Sequence, residues 1–463
     1  MRKKFVTIVL FMGLTASLMA GCGSSNTSSS ESPADTTSSS ENTEAVNSQS
    51  GENVSGISAA GTGDSAANVT LHVVDINADN DEYNKAIDAF EAAHPGVKVE
   101  TNHAVNDSQE VISSLIASND IPDVIAATPE YGDVYKEFLY DWKDDADTLA
   151  QFKDGYVDSI TEKDGSVLGL PCSCINVGLV YNKDILKEVG YDEIPLTISG
   201  FEQMCSDISE KTGVVPFIVP FETNSYFISA QMLDAYIITK DQPGSVCADK
   251  FNSGELKVSE ASGNFSNFWK MMDIATKYTS GETLLEYDWE YACNLIANGK
   301  AAIMTYGDWA YNPITQFNAD INLGFSSYPV SENADDSVTP TSVSQIAMLN
   351  KNSDNFDVAK ELAIFLTTSP ESAEYWVKGY GSVPCSKAAD DLDSSYFNPL
   401  LQQSSKNATE GKCVDRLQNY YPTASGVDFM KDAADAIQGY VIGTYTSDEA
   451  TEVIDNAWPV SES

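Results

Sequence analysis

The stretch Ile296 to Tyr311, IANGKAAIMTYGDWAY, is the most chemically suggestive: a short apolar run gives way at Gly307 to a carboxylate and an indole, Asp308 and Trp309. Ala301 to Met304 is too short for a helix and reads as a buried strand, with Gly299 stopping the helix before it. Asp308 then stands where the chain leaves the strand, and in open α/β sheets that carboxyl edge is where ligands bind. From the residues alone two readings are equal: a cleft in which both side chains meet a ligand, or a core tryptophan behind an aspartate that only caps a helix.

Other constellations exclude more than they support. In DINADNDEY, Asp75, Asn77 and Asp79 have calcium-loop spacing, but Asn80 replaces the glycine and Ala86 the closing glutamate, so a loop between strand and helix accounts for them better. Cys172 and Cys174 in CSC can point two thiols to one face of a strand. A lone C-x-C is weak support for a metal, and small buried thiols are the preferred reading. Only three histidines occur, His72, His94 and His103, which weighs against a histidine base or a histidine metal cluster. The chain has no G-x-S-x-G, H-E-x-x-H or phosphate loop. No cofactor, metal or catalytic residue is expected.

With 463 residues, 42% of them hydrophobic, the chain can bury a large core and has the length of two or three domains. Lysine and arginine total 26 against 69 acidic residues, a net charge of −43, so nucleic acid and anionic lipid surfaces repel it. Solubility is the main reading of this acidity, and a cation-binding cleft is the alternative.

Arg2, Lys3 and Lys4 precede an apolar run, Phe5 to Ala20, of signal-peptide length, and small residues and a cysteine follow at once. The run is too short for a stable membrane span. The residues LMAGC, Leu18 to Cys22, resemble the lipobox of bacterial lipoproteins, with Met19 where leucine is usual. The resemblance implies a signal peptide over 1–21 and a lipid-modified Cys22 that anchors the chain at the outer face of the bacterial cytoplasmic membrane; an ordinary signal with a chance cysteine is the alternative. Residues 22–67 are rich in serine, threonine, glycine, asparagine and glutamate and lack the apolar surface that offsets ordering entropy, so they read as a lipidated, disordered tether. The remaining seven cysteines are an odd number, which leaves at least one free thiol in a single chain.

From residue 68 onward, strands and helices alternate. Val69 to Val74 reads as a strand; Tyr83, Ala86, Ile87 and Phe90 as a helix capped by Asp79 or Asn80; Val97 to Val99 as a strand; Val111, Ile112, Leu115 and Ile116 as a helix; and DVIAAT as a short buried strand. After Gly169 the pattern restarts with INVGLVYNK, KDILKEVG closed by Gly190, a helix behind Ser199 and a strand in VVPFIVPF. Thr446 and Glu449 form a capping box near the C-terminus. This alternation predicts an α/β fold of βαβ units with helices on both faces of a parallel sheet.

Five segments in order, LIASNDIPDVIAAT, LGLPCSCINVGLVYNKDILKEVG, PLTISGFEQM, ANGKAAIMTYGDWA and AKELAIFLTTSPESAEYWVKGYGSVP, resemble the signatures of the family 1 extracellular solute-binding proteins, the sugar-binding lipoproteins of ABC transporters. The resemblance covers Val69 to the C-terminus. It implies a two-lobe periplasmic-binding-protein fold of type II, with crossing strands as hinge, a ligand cleft between the lobes, and no catalysis. The solute-binding domain is then 68–463, with an N-lobe of about 68–170 and 341–368 and a C-lobe of about 171–340 and 369–463. Crossovers are expected near Pro171 to Val177, Pro329 to Ser342 and Thr368 to Glu371.

By that resemblance Trp309 is the sugar-stacking tryptophan, its indole covering the C–H face of a pyranose, and Asp308 accepts hydroxyl hydrogen bonds. Asn77 and Asp79 follow the first strand where family members present polar groups. Glu130 and Tyr131 follow another strand end. Ala127 takes the place of a family tryptophan, so Tyr131 is left to supply a platform. Glu222 and Tyr226 resemble an acidic-aromatic segment with extra residues between them, and Tyr380 is a contact at the third crossover. The partners implied are a sugar or oligosaccharide and ABC permease transmembrane subunits, with the membrane met only through the lipid anchor, no nucleic acid, and a monomeric receptor. A polyamine or other small solute fits the same carboxylates and aromatics. A glycoside hydrolase needs two carboxylates at a set separation, which 69 acidic residues cannot discriminate.

Overall fold

Alternation at the start of the folded part becomes β1, Val69–Asp75, which buries Leu71, Val73 and Val74 and ends on a buried carboxylate. The computed structural model describes residues 69–77, 79–104, 108–118, 120–222, 226–422 and 428–460. The expected signal peptide, Cys22 and the tether lie outside the described residues.

Nine further strands follow: β2 (Val97–His103), β3 (Val124–Ala127), β4 (Leu170–Asn182), β5 (Val215–Ile218), β6 (Ala301–Gly307), β7 (Leu323–Ser326), β8 (Thr339–Leu349), β9 (Val383–Pro384) and β10 (Cys413–Asp415). They hydrogen-bond in the order β2-β1-β3-β8-β4-β6-β5, with β10 on β8 and both β7 and β9 on β4. The βαβ units give parallel pairs at both ends, β1 with β2 and β3, and β5 with β6. The middle is antiparallel, β3 with β8, β8 with β4, and β4 with β6.

Two hydrophobic cores lie along this path. One gathers Leu71, Phe90, Val124, Trp142, Ile346 and Leu362. The other gathers Leu179, Phe201, Phe217, Phe268, Ile303 and Ile437. Each fully buried phenylalanine in such a core is worth about 1.5–3 kcal/mol. Only β4 feeds both, its membership changing between Cys174 and Val177; beside it the chain changes core as it enters β8, from Val338 just before the strand to Val343 within it.

Helix ends follow local rules. Gly190 closes Lys183–Val189 at φ 97°, a left-handed conformation that suits glycine. The capping box of Thr446 and Glu449 is present. Thr197, not Ser199, caps Ile198–Thr212, and Asn80, not Asp79, caps Asp81–Ala93 by accepting from Glu82 and Tyr83 N–H. The strand expected in VVPFIVPF is confined to β5.

The region expected as third crossover, Thr368 to Glu371, is instead the junction of helices Phe356–Thr368 and Pro370–Glu374. The chain stays with the first core beyond it: Tyr375, Trp376 and Cys385 pack there, and the second core resumes at Leu400. Cys172 and Cys174 do not share a simple pleat, because the pairing register shifts on both sides of Ser173. The seven cysteines from Cys172 to Cys413 are free thiols, six of them buried.

Candidate functional site

Where the cores meet, polar side chains replace apolar ones inside otherwise apolar strands. Asn176 on β4 pairs with Thr341 on β8, and at the next residue β4 changes partner, Val177 pairing with Gly307 of β6. Immediately after Gly307 come Asp308 and Trp309.

Trp309 is half-buried against the second core, with its ring 5.2 Å from Tyr306. The indole lies on Gly307, where a Cβ would fall 1.7 Å from Cζ3, so only glycine leaves room for the ring. Tyr306 in turn faces Trp289 in a parallel stack with centroids 6.4 Å apart, and Trp289 and Tyr291 are exposed. This gives the second half of the molecule an aromatic wall. Glu222 joins it from the side, half-buried, its N–H donating to the Tyr287 carbonyl at 3.0 Å.

The first half contributes an amide network. Asn77 Nδ2 donates to Gln345 Oε1 at 2.9 Å and to the Tyr375 hydroxyl at 3.1 Å, while Gln345 Nε2 donates back to Asn77 Oδ1 at 2.6 Å. Beside them Asp75 accepts from Asn77 N–H at 2.8 Å. Burial pushes the Asp75 carboxyl up to about 7, against the two hydrogen bonds from Asn77 that favour its ionised form. Tyr380 lies on a π-helical turn, Tyr375–Tyr380, of the kind enriched at functional sites. It is half-buried, edge-on to Trp376 at 5.5 Å and within hydrogen-bonding reach of Gln345. Burial, then the Asp75 charge, push its phenol up to about 12. The same turn meets the second half directly: Asn312 Nδ2 approaches the Gly379 carbonyl at 3.5 Å.

Asp308 is not the open acceptor expected. It is fully buried, with one oxygen accepting from Asn176 N–H at 3.2 Å and the other from Asn176 Nδ2 at 2.7 Å. Burial pushes its carboxyl up to about 6, opposed by the hydrogen bonds from Asn176. Asp308 therefore serves the strands, and Trp309 alone of the pair faces outward.

The structure thus brings Asn77, Asp308, Trp309 and Tyr380 to one region. Asp79 is exposed, bonded to Asn84 Nδ2 at 2.8 Å, and Tyr131 lies over the first core parallel to Tyr135 at 5.8 Å. Glu130 and Tyr226 open short helical segments, and their side chains lie outside the described residues. Asp75, Gln345, Asn176 and Tyr306 were missed. The signal for them is a polar or phenolic side chain interrupting an apolar strand, or standing at its carboxyl end.

Among the described residues no three of His, Cys, Asp and Glu converge as a metal would require, and no helix is long and apolar enough to cross a membrane. A separate surface cavity of about 460 Å³ lies among Trp269, Tyr440, Asp273 and Thr451. Its indole already donates to Thr451 Oγ1 at 2.9 Å and its phenol to Asp273 at 2.6 Å, so the region between the cores remains the candidate site.

Comparison with known proteins agrees with this geometry. The profile described as bacterial extracellular solute-binding protein matches residues 85–409. The melibiose/raffinose/stachyose-binding protein MelE of Bacillus subtilis (strain 168) is 26% identical over 271 residues, 57% of this chain and 61% of that relative. The chain spans about three-fifths of the length of the curated relatives it matches. Among solved structures, the apo form of RafE from Streptococcus pneumoniae superposes with a TM-score of 0.68 at 20% identity, covering 86% of this chain and 98% of that one. A Bacillus licheniformis sugar transporter protein in complex with stachyose gives 0.64 at 19%, covering 84% and 99%. These likenesses establish the two-lobe, type II binding-protein fold.

Proposed function

The chain belongs to the bacterial extracellular solute-binding protein family, and from that membership we propose that it is a receptor that captures a neutral sugar or short oligosaccharide between its two cores and delivers it to an ABC permease. The observation that carries the ligand class is the half-buried Trp309, an indole supported by Tyr306 and Gly307 on the second core, with the amide pair Asn77–Gln345 and Tyr380 at the edge of the first. An aromatic face takes the C–H side of a sugar ring, and amides and phenols take its hydroxyls. MelE binds melibiose, raffinose and stachyose, as its name states, which supports galactose-containing oligosaccharides as the first class to try.

A polyamine requires open carboxylates, whereas Asp75 and Asp308 in this region are buried and held by asparagines. The same enclosure removes them as the facing acid and base of a glycoside hydrolase, so we read the chain as binding without turnover. We place it outside the cytoplasmic membrane, held by lipid on Cys22, with the two cores acting as lobes that close on ligand and stabilise the closed state only when both are contacted.

The test is thermal unfolding of the purified protein against raffinose, stachyose, melibiose, maltose and spermidine, with product analysis alongside. A saturable rise in midpoint with one sugar class and no hydrolysis is expected. A rise with spermidine alone, or hydrolysis of the sugar, overturns the reading.

A further inference from the structure

We propose that Asp308 is a positioning residue of the binding cycle: its buried carboxylate holds the boundary pair of the two crossing strands and so ties the seating of Trp309 to the setting of one lobe on the other. The inference rests on the receptor reading above but adds a role for a residue that cannot itself reach a ligand.

Three observations carry it. First, Asn176 and Thr341 are paired where β4 passes from one core to the other and where the chain, leaving the second core at Val338, enters β8 and the first. Second, Asn176 is where β4 leaves its pairing with β8, and its N–H goes to the Asp308 carboxylate at 3.2 Å. The Asn176 side chain bridges the rest: Nδ2 donates to Asp308 at 2.7 Å, and Oδ1 accepts from Thr341 Oγ1 at 2.8 Å. One carboxylate therefore fixes both crossing strands. Third, Asp308 is flanked by Gly307, which belongs to the β6 ladder, and by Trp309, whose indole lies on Gly307. Any shift of the strand boundary is passed to the indole through a single residue.

The groups facing the carboxylate are Asn176 from β4, Ser404 from helix Pro399–Thr409, Tyr380 from the π-helical turn and Cys413 from β10. None is a cation, so the ionised form is held by hydrogen bonds, those from Asn176 and from its own backbone N–H, and not by an opposite charge. Its raised titration range follows, and protonation removes the charge that makes these hydrogen bonds strong. Ligand binding is then expected to weaken as pH falls from about 7 to about 5.

The experiment measures oligosaccharide affinity and amide exchange in the full chain, for wild type, Asp308→Asn and Thr341→Val. Asp308→Asn is expected to bind roughly tenfold more weakly at pH 7.5, as for loss of one charge-assisted hydrogen bond, and to show a flatter affinity profile from pH 7.5 to 5. Asp75 titrates in both proteins, so the difference isolates Asp308. Thr341→Val leaves the Asp308–Asn176 bonds intact, serves if the first variant misfolds, and shifts affinity in the same direction by about threefold.

Exchange is read without ligand. The proposal requires faster exchange both at Asn176 and in Gly307–Ala310 on substitution. Acceleration at Asn176 alone, or unchanged affinity with an unchanged pH profile, overturns it. If wild type binds no sugar, the receptor reading fails separately and the exchange result still decides the role of Asp308.

Discussion

Replacing Gly307 with alanine adds one methyl group and alters no polar atom, yet it moves the proposed platform. The Gly307 backbone, at φ −117° and ψ 171°, accepts alanine without strain, so the conflict is with the ring alone. The new Cβ falls 1.7 Å from Trp309 Cζ3 and 2.1 Å from Cε3 and Cη2, well inside any tolerable contact. Because Trp309 is half-buried, the ring can swing toward solvent. Overpacking of this kind costs about 1–3 kcal/mol, and removing a strand glycine returns about 0.5–1 kcal/mol. Stability should therefore fall by no more than about 2.5 kcal/mol.

Affinity should fall further. A tryptophan buries about 150–250 Å² in contacts, and half of that, at about 25 cal/mol per Å², is about 2–3 kcal/mol. That corresponds to roughly 30- to 150-fold in Kd. Calorimetric titration with the sugar that stabilises the wild type, run beside thermal unfolding, separates the two quantities. An affinity within about twofold of wild type would refute the platform role, and so would a loss of stability large enough to account for the loss of binding.

Three other outcomes are expected. The carboxyls of Asp75 and Asp234 are pushed by burial up to about 7 and about 6, above their ordinary value near 3.8; the native state then binds protons that the unfolded chain does not, so stability decreases as pH rises from about 4 to 7. The unfolding midpoint should be higher at pH 5.5 than at pH 8, and the reverse order in a buffer series would contradict this. Arg416→Met removes the cation 3.8 Å from buried Asp234 and leaves a buried carboxylate uncompensated, which should cost about 3 kcal/mol or more in denaturant unfolding at pH 8; a loss below about 1 kcal/mol would show the pair to be dispensable. Cys22→Ser should release the protein into the medium when cells are fractionated, and retention in the membrane fraction would remove the lipid anchor from the account.

Local grammar was legible where it depends on neighbours in sequence. The apolar run ending at Gly307 marked the strand and placed Trp309 at its end, and Gly190 and the Thr446–Glu449 box marked helix limits. What could not be read depends on partners far along the chain. Asp308 looks like an open carboxylate until Asn176, 132 residues earlier, closes on it. Asn77 looks like a loop residue until Gln345, 268 positions later, pairs with it. Thr197 competes with Ser199, and Asn80 with Asp79, one or two residues apart, and only the backbone path decides which oxygen reaches the free N–H groups. The same holds for Tyr375 and Trp376, whose helical spacing is clear but whose allegiance to the first core is a tertiary fact.

The most direct test of the account is a crystal structure with the stabilising oligosaccharide bound. The account predicts a sugar ring in van der Waals contact with the Trp309 indole, its hydroxyls met by groups from the Asn77–Gln345 and Tyr380 side. Ligand density at the Trp269–Tyr440 cavity, with the Trp309 face bare, would contradict it.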